Sequence, residues 1–544
     1  MTYLIFIAFY NIIFLIGRGA ICFFTYAKLI ENKNKIFNLE ITYLYPLIGL
    51  FVIGNLTLLL HFFTAITTFT SICMFTILIS FNLLKMNINF NNKLLITNLC
   101  VPMVLSFSTN SASLHFDAGL YHLQFQNWLR SYKIIENLVL ANKRHGYSSI
   151  FDYISSNFWW NDNFLFLHFI NLVFISSFLS ILIYFLFFQE NLFLKLSSLT
   201  LFIYAFLDNF GYQGGRNGFI YIESIGKQDT AFAIVYFLII VFTTYSIKYN
   251  NYDLDNLFII GTLSLFSIQL RLFGIFTVFM FVLYIYKLAQ IFSVFEILKS
   301  TYLQIFIGVL WLIKNIVTTG CIFFPITITC FEQRIPNIKS LSRKENSSLA
   351  EYYKAYKQGD NLIMWSKDFL NDSINLQIFI NFLFSFIFIR ILFKLFFKIS
   401  RKKNTLLLLT VFSTIFFNSL TLFLTGPGNR FLIGIFLVLI GITYFITLNK
   451  IEFRIKFFIP FSNFFKIFIS TMSIILIPLY TNYLDLGKGL KLIIIEIEKV
   501  NYTKIDNFWG TNSTNTSLCW DRIDCLYGNP KIFFNEEKLR IERK

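Results

Sequence analysis

Charged residues are scarce in this sequence, at 14% of 544 residues, whereas a soluble globular protein averages about 25%. Several catalytic signatures are also missing, namely the Walker A motif, the dinucleotide-binding glycine pattern, HExxH and GxSxG. Their absence leaves soluble-cofactor chemistry unsupported, so no cofactor is expected. Residues 1–16 lack a basic n-region and an A-x-A cleavage site, so we interpret them as part of a retained first membrane span.

Apolar residues, by contrast, make up 56% of the chain, give it a mean hydropathy of +0.64 and fall in long runs. Phe164–Phe188, Ile378–Phe397 and Leu406–Leu424 are each near the roughly 20 residues that cross a bilayer core. A single buried core does not absorb so many runs, so the sequence predicts an all-α polytopic membrane protein with about fourteen transmembrane helices. The predicted spans are 3–26, 41–60, 63–84, 94–108, 163–187, 190–208, 229–247, 255–270, 273–291, 299–317, 374–397, 405–425, 431–448 and 457–482.

The basic residues predict how these helices are oriented. The net charge is +17, and many Lys and Arg residues fall in short loops near 33–35, 85–93, 398–403 and 450–456. Positive charge in short loops marks the cytoplasmic side of a membrane protein, so we prefer this explanation to nucleic-acid binding. The segments predicted to lie outside are the large loops 109–162 and 318–373, the shorter 209–228 and 426–430, and a tail, 483–544, that follows the helical domain 1–482.

Four of the seven cysteines, Cys321, Cys330, Cys519 and Cys525, fall in segments predicted to lie outside. An oxidising compartment allows two disulfides among them, with three possible connectivities. The short separation of Cys519 and Cys525 makes that pair the most economical choice. A zinc site is less well supported, because the spacing is not C-x₂-C and no His lies nearby.

The first large loop contains the richest polar sequence. Asp117, Tyr121 and either Gln124 or Trp128 recur at helical spacing, so their side chains are expected to share one face of a short helix. Asp117 closely follows an apolar span, where partial burial is expected to raise its pKa toward that of a useful general base. The alternative is that Asp117 caps a helix and the aromatic residues form an interfacial belt. Further candidate substrate-binding residues in this loop are His122, Arg144 and His145.

A second group of candidates consists of cations near the outer ends of spans, namely Arg271, Lys314 and Arg430. Arg271 lies between two short apolar runs, which form either two helices or one bent or re-entrant element. An unpaired charge there costs at least a few kcal/mol, so Arg271 pairs either with a lipid-linked phosphate or with an internal carboxylate such as Asp229 or Asp208. Asp229 begins its own span and is either an N-cap or a second catalytic carboxylate.

Short motifs occur from the first large loop to the tail, namely Asp117–His122, His145–Ser149, Trp311–Asn315 with Thr319-Gly320 and Phe323–Pro325, Gly426–Phe431, and Cys519-Trp520. Together these motifs resemble the GT-C superfamily of membrane glycosyltransferases, particularly its multi-pass bacterial members. The resemblance implies an inverting enzyme of the bacterial inner membrane that takes a sugar from a polyprenyl-phosphate carrier on the outer face and transfers it to a lipid or glycan acceptor. It also implies that Asp117 is the base and that Arg271 and Lys314 hold the donor phosphate. Asp117 stands alone rather than in an acidic pair, so a divalent metal is unsupported.

Two other functions remain open on the sequence. An O-antigen or capsule polymerase also has many spans and a large outer loop with Arg and His, as in Arg144-His145. A flippase or transporter of lipid-linked sugars requires alternating access, yet no internal repeat of the inverted kind is visible. The product distinguishes the three: one added sugar, a long polymer, or flux without covalent change.

Overall fold

A computed structural model describes most of the helical region and parts of the tail. The residues described are 1–31, 35–37, 39–84, 92–147, 149–161, 163–208, 224–226, 228–353, 355–356, 361–401, 405–425, 428–443, 445–446, 448–453, 491–497, 502–504, 511–513, 519–523, 532–535 and 538–543. Within them the chain is predominantly α-helical, which confirms the helical architecture predicted from the sequence. The helices are α1 Thr2–Tyr26, α2 Tyr45–His61, α3 Thr68–Ser80, α4 Asn92–Ser106, α5 Leu123–Ser131, α6 Ile150–Ser155, α7 Leu165–Phe188, α8 Leu192–Leu207, α9 Asp229–Lys248, α10 Leu254–Leu270, α11 Val278–Leu288, α12 Val294–Thr319, α13 Ile338–Tyr352, α14 Leu362–Leu370, α15 Ser373–Phe396, α16 Thr405–Thr425 and α17 Ile433–Gly441.

The β-structure consists of short two-stranded pairs. Four of the pairs are antiparallel, and the pair formed by β3 and β4 is parallel. The strands are β1 Lys35–Ile36, β2 Leu39–Glu40, β3 Ser113–Leu114, β4 Ser224–Ile225, β5 Phe397–Arg401, β6 Leu448–Phe453, β7 Tyr502–Lys504, β8 Thr511–Ser513, β9 Ile532–Asn535 and β10 Arg540–Arg543.

Seven helices in the described part of the chain are long and apolar enough to cross a membrane: α1, α2 with the turn before it, α7, α9, α12, α15 and α16. Five further apolar helical segments are shorter, of 10–17 residues. The last span predicted from the sequence, 457–482, lies outside the described residues. The structure is thus that of a protein with several potential membrane helices, and the count of fourteen stays a prediction.

The apolar helices differ in how much of their surface is covered. Nearly all of α7 and α9 is buried, whereas α12, α15 and α16 leave about two thirds of theirs uncovered. The uncovered side chains are large and apolar, including Phe295, Phe384 and Leu409. Helices that are apolar all round and yet expose such residues are suited to contact with lipid. The bundle therefore has an inner layer around α7 and α9 and an outer apolar layer.

Close helix contact explains one of the glycines in the bundle. A Cβ atom at Gly17 of α1 would lie 1.7 Å from the backbone oxygen of Tyr45 at the start of α2. No larger residue fits there, because the two backbones touch. Small residues at helix crossings are typical of membrane helices, which gain packing energy by close approach.

Arg271 separates two antiparallel helices. After α10 ends at Leu270, the backbone of Arg271 is extended, and a 3₁₀ turn over Leu272–Thr277 leads into α11. At the far end of the hairpin, the backbone N–H of Asp253 lies 3.2 Å from the Tyr284 hydroxyl oxygen. The chain thus reverses at Arg271, and α10 and α11 form a hairpin of two helices rather than one bent helix.

Segments predicted to lie outside the membrane meet at one end of the bundle. Tyr3, at the start of α1, exchanges side-chain hydrogen bonds with Asn110, and the hydroxyl of Thr2 donates to the backbone oxygen of Lys491 at 2.6 Å. The backbone N–H of Asn137 donates to Val317 at the end of α12. We call this the loop-bearing end.

Segments predicted to be cytoplasmic meet at the other end. The backbone N–H of Glu31, after α1, donates to the carboxylate of Asp255 at 2.8 Å, and the Lys248 ammonium donates to the backbone oxygen of Phe445 at 2.9 Å. Strands β5 and β6, from two basic connections, pair here. These connections thus meet at the end opposite the loop-bearing end, and the side of the membrane that each end faces stays a prediction.

The cysteines predicted to be outside are partly accounted for. Cys321 and Cys330 form a disulfide that closes the turn after α12. Cys519 is also disulfide-bonded, whereas Cys525 lies outside the described residues. The free cysteines in the described part of the chain are Cys22, Cys73 and Cys100, which lie in or beside helices.

Candidate functional site

Four charged residues meet at the loop-bearing end: Asp117, Asp229, Arg271 and Arg430, which we call the charged cluster. The Arg430 guanidinium donates to the Asp117 carboxylate at 2.6 Å. Arg271 forms an ion pair with Asp229. Arg430 also lies 3.8 Å from Asp229, so that it bridges the two carboxylates. The cluster is one connected network drawn from four separate parts of the chain.

Backbone pairing brings the two carboxylates together. Strand β3 lies parallel to β4, and the backbone N–H of His115 donates to the backbone oxygen of Ile225. Asp117 follows β3 by three residues, and Asp229 follows β4 as the first residue of α9. Because the strands are parallel and in register, both acidic residues emerge on the same side of the pair.

The arginines approach from two helix ends. Arg271 follows the last residue of α10, and Arg430 lies in the 3₁₀ turn that precedes α17. Their guanidinium carbons lie 4.9 and 5.1 Å from the ring centre of Phe431, a cation–π distance. Arg430 also donates to the Tyr353 hydroxyl at 2.9 Å. The cationic groups are therefore held on an aromatic platform.

Burial differs within the charged cluster. Asp229 is 2% exposed, whereas Asp117, Arg430 and Arg271 are 15%, 16% and 17% exposed. The two positive and two negative charges offset one another, which is what partly buried charges require. The most deeply buried member is the Asp229 carboxylate, and each of the two guanidinium side chains keeps a small exposed fraction.

The prediction that partial burial raises the pKa of Asp117 is wrong. Burial raises the pKa of this carboxyl, but the neighbouring Arg430 and His115 outweigh burial and lower the pKa to about 2. The sequence argument considered the apolar span but did not place a cation within hydrogen-bond distance. Asp117 is thus ionised at neutral pH and is a weak proton acceptor.

The structure shows which internal carboxylate pairs with Arg271 and whether Asp229 is a helix cap. Arg271 has the internal carboxylate partner, Asp229, rather than Asp208. The residue in the N-cap position of α9 is Gln228, so Asp229 is not the cap. A phosphate at Arg271 therefore has to share the guanidinium with Asp229 or displace that carboxylate.

The other candidates of the first loop separate into two groups. A π-helical turn, Ala118–His122, replaces the regular helix expected after Asp117, and Tyr121 and His122 lie in this turn next to the charged cluster. Burial and the Asp117 charge raise the pKa of Tyr121. Trp128 lies in the core at 1% exposure and packs on Tyr132, so its ring is not available to a ligand.

Arg144 and His145 lie deeper in the folded loop. The backbone of Arg144 donates to the Asn142 side chain at 3.0 Å. The His145 ring packs on Phe125, and burial lowers its pKa to about 3. A neutral, buried imidazole at this place fills the core of the loop.

Lys314 and Asn315 are not part of the charged cluster. The Lys314 ammonium is fully buried in α12, lies 4.0 Å from the Trp311 ring centre and donates to Asn315 at 3.1 Å. The Asn315 amide donates to the backbone oxygen of Ile322, so it secures the turn that contains the disulfide. No group of three or more His, Cys, Asp or Glu suited to a metal ion occurs in the described part of the chain.

Two residues near the site were not singled out from the sequence. Tyr353 comes from the second large loop, and no local pattern connects it with Arg430. Asp152 accepts hydrogen bonds from the His122 ring and from the backbone of Ser149, in a capping box at the start of α6. The Ser-x-x-Asp spacing was a detectable signal for the cap, but not for the bond to His122.

Neither curated proteins nor solved structures match this chain. One family model does, over residues 1–437, and its description is "Domain of unknown function (DUF8201)". The matched region is more than three quarters of the chain and contains all four residues of the charged cluster as well as Tyr353. The chain therefore belongs to the DUF8201 family.

Proposed function

We propose that this protein is a membrane glycosyltransferase that moves a sugar from a polyprenyl-phosphate donor to a lipid or glycan acceptor. The observation that carries the proposal is the pair of guanidinium groups, on Arg271 and Arg430, that share Asp229 at the loop-bearing end. Guanidinium groups recognise phosphate through paired hydrogen bonds and keep their charge at any physiological pH.

The electrostatics of the cluster suit departure of a phosphate. As the bond between the sugar and the carrier breaks, negative charge grows on the leaving phosphate oxygen. Preorganised cations in a site poor in water stabilise such charge by several kcal/mol. Asp117 and Asp229 hold the arginines in place before the donor arrives, and the donor phosphate then takes over part of their hydrogen bonding.

The position of the cluster suits a lipid-linked donor. Asp229, Arg271 and Arg430 lie at the ends of apolar helices. At such a position a phosphate stays in the polar interface while its chain remains among hydrocarbon. The proposed topology is a multi-pass bacterial inner-membrane protein with about fourteen spans and the loop-bearing end outward, as the positive charge of the other loops favours.

A labelling experiment tests this topology. Lys344→Cys lies on exposed α13 at the loop-bearing end, and Tyr249→Cys lies at the opposite end. In intact cells a membrane-impermeant maleimide is expected to label the first variant, and to label the second only after permeabilisation. The reverse pattern would place the site in the cytoplasm.

The functional test is transfer of radiolabelled hexose from polyprenyl phosphate hexoses in membranes that contain the full chain. Arg271→Lys and Arg430→Lys keep the charge but lose the forked geometry, and we expect each to lower kcat/KM at least about tenfold, or roughly 1.4 kcal/mol. The control is Arg390→Lys, because Arg390 bonds Leu439 and Thr443 away from the cluster. Membranes that transfer no label across the donor panel would reject the proposal, and a long polymer as product would favour a polymerase.

A further inference from the structure

A buried hydrogen-bond network adjoins the charged cluster. The His122 Nδ1 atom lies 2.7 Å from the Asp152 carboxylate, and the two side chains are 2% and 1% exposed. The Gln126 amide and the backbone N–H of Ser149 also donate to Asp152, at 3.2 and 3.1 Å. Gln126 in turn accepts the indole N–H of Trp159 at 2.8 Å. Asp152 is thus fixed by three donors and cannot turn away from His122.

The π-helical turn connects His122 to Asp117. In this turn the backbone N–H of Leu123 bonds to the oxygen of Ala118, five residues earlier. A π turn places residues five apart on one face, so the side chains of Asp117 and His122 project to the same side. The Tyr121 ring packs against the His122 ring, with the ring centres 4.0 Å apart and the planes tilted by 36°. Isolated π turns occur frequently at functional sites.

The bond to Asp152 determines what His122 can do. A neutral imidazole whose Nδ1–H donates to a carboxylate has an unprotonated Nε2 and is a proton acceptor. Asp117 is a poorer proton acceptor, because its ion pair with Arg430 lowers its pKa to about 2. A carboxylate with so low a pKa is a poor general base near neutral pH.

We propose that His122, oriented by Asp152, is the group that accepts the proton of the acceptor hydroxyl. This assignment rests on the proposed glycosyl transfer. The hydroxyl oxygen forms a bond to the anomeric carbon, and the bond from that carbon to the phosphate oxygen breaks with its electron pair left on the phosphate. The hydroxyl proton moves to Nε2 of His122 and later passes to water. Asp152 is a positioning residue, which sets the tautomer and stabilises the imidazolium.

Other titratable groups surround His122. Besides Asp152 on α6, they are Asp117 and Tyr121 on the same turn and His145 on the following part of the loop. Asp117 and Asp152 are the carboxylates that interact electrostatically with His122. Burial lowers the pKa of His145 to about 3, so His145 stays neutral.

The test measures kcat and KM separately for the full chain in membranes, with labelled polyprenyl phosphate hexose as donor. His122→Asn keeps a side-chain N–H for Asp152 but has no proton acceptor, and we expect kcat to fall about 10²–10⁴-fold with the donor KM within about threefold of native. Asp152→Asn is expected to lower kcat as well, because it no longer selects the tautomer. His168→Asn is the matched control, since it removes another buried imidazole. His168 lies in α7, and its ring is 3.3 Å from the Ser108 hydroxyl.

The outcomes separate the two proposals. Native transfer that His122→Asn leaves unchanged rejects the base assignment and keeps the glycosyltransferase. Absence of transfer by the native protein rejects both. If His122→Asn is not monodisperse after purification, His122→Gln and Asp152→Asn decide: retained kcat in either well-folded variant rejects the assignment. An equal loss of kcat in His168→Asn also rejects it, because the effect then follows from removing any buried imidazole.

Discussion

Replacing Asp117 by Asn tests the central ion pair of the cluster. The side chain keeps its size but loses its charge, and Arg430 then has only Asp229, at 3.8 Å, as a carboxylate neighbour. The pKa of Asp117 falls from 3.8 to about 2 in the folded protein, and at about 1.4 kcal/mol per pKa unit this corresponds to about 2.5 kcal/mol of stability at neutral pH. We expect Asp117→Asn to lower the free energy of unfolding by roughly this amount.

The stabilisation by the Asp117 carboxylate depends on pH. Because folding lowers the pKa of Asp117, the stabilisation is fully present above pH 3.8 and is lost as the pH falls through about 2. The difference between native protein and Asp117→Asn is therefore expected at pH 7 and should shrink toward pH 2. Both proteins lose other interactions in acid, so the comparison is made at each pH between the two proteins.

Reversible unfolding in mixed micelles by SDS titration measures this difference. Asp368→Asn is the control, because Asp368 is an exposed carboxylate on α14. A cycle with Arg430→Met and the double variant isolates the pairwise energy, and we expect the double variant to be less destabilised than the sum of the single variants. If the free energy of unfolding of Asp117→Asn at pH 7 is within about 0.5 kcal/mol of the native value, the argument is refuted.

Two further predictions concern the loops around the site. Gly119→Ala places a Cβ atom 2.7 Å from the Trp520 ring, so we expect about 1–3 kcal/mol of destabilisation in the same titration, whereas Gly308→Ala, whose nearest neighbour lies at 3.7 Å, is the well-tolerated control. Replacing both Cys321 and Cys330 by Ser removes a disulfide with a sequence separation of 9, and we expect the free energy of unfolding to fall by about 2.5 kcal/mol. An unchanged unfolding midpoint in this double variant would contradict the prediction.

The helices of the bundle were predictable because hydropathy is a local property. The predicted spans 163–187, 374–397 and 405–425 correspond to α7 at Leu165–Phe188, α15 at Ser373–Phe396 and α16 at Thr405–Thr425. A bilayer requires long apolar runs whatever their neighbours are, so composition alone finds such helices. Which helices form the inner layer depends on how the helices pack, and no local pattern in the sequence indicates it.

The candidate charges were also predictable, but their partners were not. Asp117 and Arg430 are separated by 313 positions, and only the fold brings them together. Charges near apolar spans are costly, and this is sufficient to mark Arg271 as needing a partner. Whether that partner is a ligand or a carboxylate depends on β3 and β4, two-residue strands that no pattern reveals.

The least predictable feature is the geometry of the turn after Asp117. A helix of regular period places Tyr121 one turn from Asp117, whereas the π turn shifts the phase by one residue and adds His122 to the same face. The identity of the residues does not distinguish the two forms. The prediction for Trp128 failed for the same reason. Regular helical spacing assigned Trp128 to the polar face, whereas the structure places it in the core.

The tail gives this turn a physical cause. The backbone N–H of Trp520 donates to the oxygen of Gly119 at 2.7 Å, and the Trp520 ring lies where a Gly119 side chain would be. The Gln124 and Asn127 amides, on the helix that follows, donate to the backbone oxygens of Arg522 and Asp521. A segment more than 390 positions away in sequence thus bonds to both the turn and the next helix. Because a π turn is less favourable than a regular helix when isolated, such outside bonds are what keep the Asp117 and His122 side chains directed to one side.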